Sequence, residues 1–246
     1  MDANDKPNGR RNFLRKTVTL IPLGTLAACE QRATTQTGAA SGSAVDQAQS
    51  PGSEAPYKPR YFDAGEWRFL EAACDRLIPA DTNGPGAVQA GVPEFIDRQM
   101  DTPYAHGALW YMQAPFAEGV PELGYQSKLV PRDLYRLGIR AVDEYCLHER
   151  GKRFADLPTE QRDEVLSGLQ KSRIEFDEVP AALFFAQLLQ NTREGFFCDP
   201  IHGGNRHLVG WTMIGFPGAR ADFMDFVNQG GKRYPYGPVS ISGEKA

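Results

Sequence analysis

From residue 63 to residue 194 one pattern recurs: apolar side chains three and four positions apart, in runs that proline or glycine opens and closes. That period belongs to one face of an α-helix, so the chain is committed to packing helices against helices. Asp63-Ala64-Gly65-Glu66 has the form of a capping box. Trp67, Leu70, Cys74, Leu77 and Ile78 follow at helical spacing until Pro79 stops the run. A loop through Asn83-Gly84-Pro85-Gly86 leads to a short helix opening at Pro93. Pro131 opens a longer helix, with Leu134, Leu137, Val142 and Tyr145 inward and Gly151 as its terminator. Two more helices are predicted over residues 158–169 and 180–194. The second carries Leu183, Phe184, Phe185 and Leu188 on a wide apolar surface, with Gly195 as its stop. No stretch alternates apolar and polar residues as a half-buried strand does. The reading is all-α: a single compact helical domain with long irregular loops over residues 57–246, preceded by a signal peptide and a disordered tether.

Residues 195–218 read differently. Phe196, Phe197, Cys198, Asp199 and Pro200 are followed by Gly203-Gly204-Asn205, then by Gly210-Trp211 and Ile214-Gly215-Phe216-Pro217-Gly218. Glycine and proline at this density predict irregular backbone, and long loops in compact domains usually serve function or an interface. Phe196, Phe197, Trp211 and Phe216 on such a backbone must pack against something, either the chain's own core or a partner's surface. Cys198, Asp199, His202, Asn205 and His207 are the one grouping of metal-donor residue types, at a spacing that matches no standard zinc site. Asp199-Pro200 and Gly203-Gly204-Asn205 are equally good turn formers, so a structural turn and a metal-binding loop both stand as readings.

The other end of the chain reads as an address. Arg10-Arg11, with Phe13 and Leu14, precede a short apolar stretch from Val18 to Cys29, the pattern of a twin-arginine export signal; a generic basic leader is the alternative. Pro22 and Gly24 interrupt that stretch, which is shorter than the roughly 20 apolar residues a bilayer span needs. It ends Leu26-Ala27-Ala28-Cys29, similar to a bacterial lipobox, which makes Cys29 the expected site of lipidation. Residues 1–28 are then the signal peptide and residues 29–56 a flexible, lipid-anchored tether. In the latter Val45 is the only large aliphatic side chain available to offset the entropy of ordering. The expected location is periplasmic and membrane-anchored.

Several chemistries lack their signatures. The formal net charge of −4 offers no basic excess to follow a phosphate backbone, so nucleic acid is not an expected partner. No Gly-x-Gly-x-x-Gly turn, Cys-x-x-Cys-His haem motif or Gly-x-Ser-x-Gly elbow occurs. Cysteines at 29, 74, 146 and 198 are too scattered for an iron–sulfur cluster. The pairs Asp143-Glu144 and Asp163-Glu164 read as solvated helix faces, because nothing local suggests the burial that would turn a carboxylate into a general acid. His106 and His148 read as a loop residue and a helix-surface residue with no triad around them. No catalytic, cofactor-binding or metal residue is assigned in this chain. Cys74 and Cys146 fall on packing positions, which leaves Cys198 as the thiol expected to be free at, or bonded across, an interface.

Two irregular stretches carry a resemblance. One is Leu77-Ile78-Pro79-Ala80-Asp81, Gly84-Pro85-Gly86-Ala87 and Ala90-Gly91-Val92-Pro93-Glu94-Phe95-Ile96-Asp97. The other is Gly195 to Pro200 with Gly203-Gly204-Asn205, Gly210-Trp211 and Ile214 to Gly218. Together they resemble the gluconate 2-dehydrogenase subunit 3 family over roughly residues 63–218. The resemblance implies a small (gamma), non-catalytic subunit of a membrane-associated sugar or sugar-acid dehydrogenase. It implies two partners: a large flavoprotein of the glucose-methanol-choline type that binds FAD, and a multi-haem cytochrome c subunit. It also implies that the small subunit carries the twin-arginine signal for the folded flavoprotein. Phe196, Phe197, Cys198, Asp199, Gly203, Gly204, Asn205, Trp211 and Phe216 are then the expected partner-facing residues.

Overall fold

A computed structural model describes residues 57–117, 119–221, 223–232 and 234–246. The twin arginines Arg10 and Arg11, Phe13, Leu14, the lipidation candidate Cys29 and the tether lie outside the described residues. Among the described residues there are six α-helices and no strands, only isolated bridges such as Gly218 with Val239. None of these helices is long and apolar enough to cross a membrane.

The helix boundaries follow local chemistry. Helix α1 (Ala64–Leu77) begins at the capping box: the Asp63 carboxylate accepts from the N–H groups of Gly65 and Glu66, and the Glu66 carboxylate accepts from the Asp63 N–H at 3.0 Å. Helix α2 (Val92–Gln99) starts one residue before Pro93, after Gly91 has turned the chain with φ 79°. Helix α3 (Pro131–Arg150) opens on Pro131 and ends at Gly151, whose φ of 71° only glycine adopts freely. Helices α4 (Thr159–Gln170), α5 (Ala181–Phe197) and the short α6 (Val209–Ile214) complete the set.

Helix α5 is the hub, lying against α1, α2, α3 and α4. Its Phe184 ring meets Phe69 of α1 and Tyr135 of α3, each at 6.1 Å between centroids, while Phe154 lies tilted against Phe69 at 4.7 Å. All four rings are fully buried, and each contributes about 1.5–3 kcal/mol by leaving water. Close approach of α3 to α5 depends on Gly138, where an added Cβ would lie 2.2 Å from the Phe184 ring.

Two sequence expectations are corrected here. Gly195 does not stop α5, which continues to Phe197. It serves as a spacer between helices: a Cβ there would stand 2.7 Å from the Phe95 ring of α2. Asp143 does not lie on a solvated face but is 7% exposed, and its carboxylate accepts the Phe154 N–H at 3.0 Å. Burial raises its pKa, against that hydrogen bond and the nearby Arg153. The chain reversal after α3 needs an acceptor for Phe154, a demand that no local pattern reveals. Asp163, by contrast, pairs with Arg76 at the surface, and Glu164 with Arg150.

The buried Asp97 at the end of α2 anchors the entry segment of the domain. Its carboxylate accepts from the backbone N–H groups of Arg60, Tyr61 and Phe62 at 2.8–3.1 Å and from the Tyr57 hydroxyl at 2.7 Å. Burial and the Asp97 charge raise the pKa of that hydroxyl well above the ordinary phenol range.

Candidate functional site

The two irregular stretches, residues 77–97 and 195–218, are far apart in sequence and adjacent in space. The Arg206 N–H donates to the Ala90 carbonyl at 3.0 Å. Glu94, buried on the first turn of α2, is paired with both Arg98 and Arg206. Gly91 and Gly203, with φ 79° and 96°, meet where no side chain fits: a Cβ on Gly91 would lie 2.7 Å from the Gly203 carbonyl oxygen. Arg98 runs alongside Gly203 in turn.

The second stretch is built from within. Asn205 is fully buried; its amide donates to the Cys198 carbonyl and its side-chain oxygen accepts the Gly210 N–H, both at 2.8 Å. The Asp199 carboxylate accepts from Ile201 N–H at 3.1 Å and from Ile241 N–H at 2.8 Å, which ties the C-terminal segment down. Trp211 donates its indole N–H to the Phe197 carbonyl at 2.7 Å and packs edge-on against Phe216. Asn205, His207 and Leu208 all have φ near 50°, conformations that a chain holds only when its surroundings over-determine them. Gly204 and Gly210 make that possible, since a Cβ on either would fall 2.1 Å from a carbonyl oxygen of the last turn of α5.

This geometry divides the residues expected at a partner surface. Phe196 is 1% exposed and packs into the core, and Asp199, Gly203, Gly204, Asn205 and Trp211 are buried within the chain's own architecture. Phe197 at 38% and Phe216 at 45% exposure do reach the surface. Ile201, Met213 and Ile214 are exposed on the same segment, although sequence reasoning did not single them out. The chain's own core therefore takes Phe196 and Trp211, while Phe197 and Phe216 stay at the surface.

The metal-binding reading of the Cys198–His207 loop is not supported. Asp199 and Asn205 spend their side-chain atoms on backbone groups, and His207 points outward. Among the described residues no group of three or more His, Cys, Asp or Glu side chains converges as a metal site would require. Cys198 is half-buried and bonded to no other cysteine among the described residues, its thiol donating to the Gly195 carbonyl at 3.4 Å. Burial pushes its pKa up to about 11, and those of Cys74 and Cys146 up to about 12, away from the reactive thiolate. His106 contacts Arg132 and His148 contacts Glu149.

What sequence reasoning missed is the clamp of Glu94, Arg98 and Arg206. The i,i+4 spacing of Glu94 and Arg98 was its one visible sign. Arg206 gave none, because its role depends on a tertiary approach.

Comparison with known proteins agrees with where these features lie. No curated protein and no solved structure matches the chain. The family model described as gluconate 2-dehydrogenase subunit 3 matches residues 64–218, from the first residue of α1 to the glycine that closes the second irregular stretch. With both stretches and all six helices inside that match, the chain belongs to the gluconate 2-dehydrogenase subunit 3 family.

Proposed function

We propose that this chain is the small, non-catalytic subunit of a membrane-associated, FAD-dependent sugar or sugar-acid dehydrogenase complex. FAD resides in a large flavoprotein of the glucose-methanol-choline type and haem c in a multi-haem cytochrome subunit. The small subunit escorts the folded flavoprotein through the twin-arginine pathway and docks it at the periplasmic face of the membrane, where the lipid on Cys29 holds it. The family match supports membership of such a complex by name. The observation that carries the docking role is the contrast inside residues 195–218. Their backbone is fixed by Asn205 and by glycine contacts, yet Phe197, Ile201, Met213, Ile214 and Phe216 stay exposed. A rigid backbone presenting apolar side chains loses little entropy on association, and exposed apolar patches of this kind mark interaction surfaces.

Two experiments test the reading. In cells that co-express the flavoprotein, the double variant Phe197→Asp, Phe216→Asp is expected to weaken co-purification by about 10- to 100-fold, the loss of one or two anchoring side chains. Both rings reach the surface but also pack on Phe196 and Trp211, so the melting temperature is measured alongside to separate lost docking from lost folding; undiminished co-purification removes the docking face. Replacing Arg10 and Arg11 by lysine is expected to leave both proteins in the cytoplasm. Normal export of the flavoprotein alongside that variant would end the escort role.

A further inference from the structure

A cleft of about 790 Å3 opens between the outer face of α5 and the loop that precedes α3, away from the 195–218 segment. That volume falls in the range of small-molecule sites. Its wall is made of two kinds of group. Tyr104, Trp110 and Tyr125 supply half-buried rings that hold one another in place, Trp110 stacked on Tyr125 at 4.8 Å and meeting Tyr104 edge-on at 5.4 Å. Gln126, Gln187 and Gln190 supply side-chain amides. Among the described residues that line it, none is charged.

Gln187 is the informative member. It is 6% exposed, and its amide N–H groups are spent on the Tyr104 hydroxyl and on the Asn191 side-chain oxygen at 2.9 Å. Asn191 in turn accepts from the Tyr135 hydroxyl at 3.0 Å and donates to Glu194 at 2.7 Å. This network fixes which way the Gln187 amide faces. Its carbonyl oxygen accepts no hydrogen bond among the described residues and is not sealed from solvent, so it is an acceptor open to a ligand.

We infer that this cleft binds a neutral sugar of one or two hexose rings. Aromatic rings take the apolar C–H face of a pyranose, and amides and phenols exchange hydrogen bonds with its hydroxyls in both directions. The oriented Gln187 carbonyl accepts from a sugar hydroxyl, and Gln190, exposed on the rim with one amide N–H on Glu194 at 2.8 Å, supplies its carbonyl oxygen and its second N–H. The absence of a cationic side chain among the described lining residues selects against a sugar acid, whose carboxylate would lose its hydration without a partner. The site is independent of the docking face and requires no partner subunit.

The test is titration of the purified full chain with D-glucose and maltose, followed by tryptophan fluorescence and saturation-transfer NMR. D-Gluconate and p-cresol serve as the anionic and the purely aromatic probes. Saturable binding by at least one neutral sugar is expected, with Kd in the millimolar range, about what an open site with few contacts supports. Trp110→Ala should weaken it by about tenfold or more, as loss of a stacking ring does, and Gln190→Ala by about three- to tenfold. Gln190 is exposed, so its truncation leaves the fold intact and keeps the test decisive if Trp110→Ala disturbs the loop. Gluconate should bind about tenfold more weakly than glucose, the cost of an unpaired carboxylate. Absence of saturation by either neutral sugar up to about 100 mM, beyond the weakest useful affinity, overturns the inference. So does equal binding by Gln190→Ala, gluconate binding as tight as glucose, or p-cresol saturating the site where sugars do not.

Discussion

Replacing Asp97 by alanine is expected to lower the melting temperature by about 10 °C, corresponding to roughly 4 kcal/mol for a domain of this size. The carboxylate is fully buried and accepts four hydrogen bonds, three of them from consecutive backbone N–H groups at residues 60–62. Hydrogen bonds to a charged acceptor contribute about 1.5–3 kcal/mol each, and a buried donor left without one forfeits the full cost of its desolvation. The Phe62 N–H is the most deeply buried of the three and suffers most. Asp97→Asn should be milder, at roughly half that loss, because the amide keeps one acceptor oxygen but turns donors toward donors. Limited proteolysis should then cut the alanine variant within residues 57–62 before any other described site. Thermal melts of the two variants within about 2 °C of the parent would show that the entry segment is held by something else.

The second large effect is expected at Gly204. An alanine there places Cβ 2.1 Å from the Gly195 carbonyl oxygen and 3.0 Å from the Cys198 sulfur. The obstacle is backbone in the last turn of α5, so the loop must move away from the helix. Overpacking of this kind costs about 1–3 kcal/mol and more when backbone cannot yield. We expect about 3 kcal/mol, and with it the loss of flavoprotein co-purification, even though Gly204 is buried and presents nothing to a partner. Gly230→Ala is the control, since a Cβ there meets nothing within 4 Å and its backbone is not left-handed; it should change stability by less than about 0.5 kcal/mol. A Gly204→Ala protein as stable as the Gly230→Ala control would mean that the loop is looser than its contacts imply.

Helix existence was legible in the sequence wherever a stop and a start were both local. The capping box at Asp63 and Glu66, Pro131 at the head of α3 and Gly151 at its end act through bonds within a few residues, so the spacing of residue types displays them. Gly195 was misread because a helix-ending glycine and a glycine admitting a neighbouring ring look alike in one dimension; only the position of Phe95 separates them. Asp143 was misread for a related reason: it sits beside the charged Glu144, while the donor that its carboxylate serves, Phe154 N–H, arrives on the far side of a chain reversal. The 195–218 segment was legible as irregular and aromatic, but which aromatics face inward was not. The phase of α5 against its neighbours turns Phe196 in and Phe197 out, and beyond the helix Asn205 ties Cys198 to Gly210, next to the buried Trp211.

By itself, then, the sequence determined the helical class, most helix boundaries and the membership in a family, because periodicity and capping are short-range effects that composition and spacing encode directly. Tertiary structure alone decided that the two irregular stretches form one body, through Glu94 between Arg98 and Arg206 and through the Gly91–Gly203 approach. It alone decided that three rings and three glutamines share one cleft, and that Gln187 faces it with an unfilled acceptor. Both outcomes depend on distances between residues far apart in the chain. Such distances arise only when the helices have packed, and no local pattern carries them.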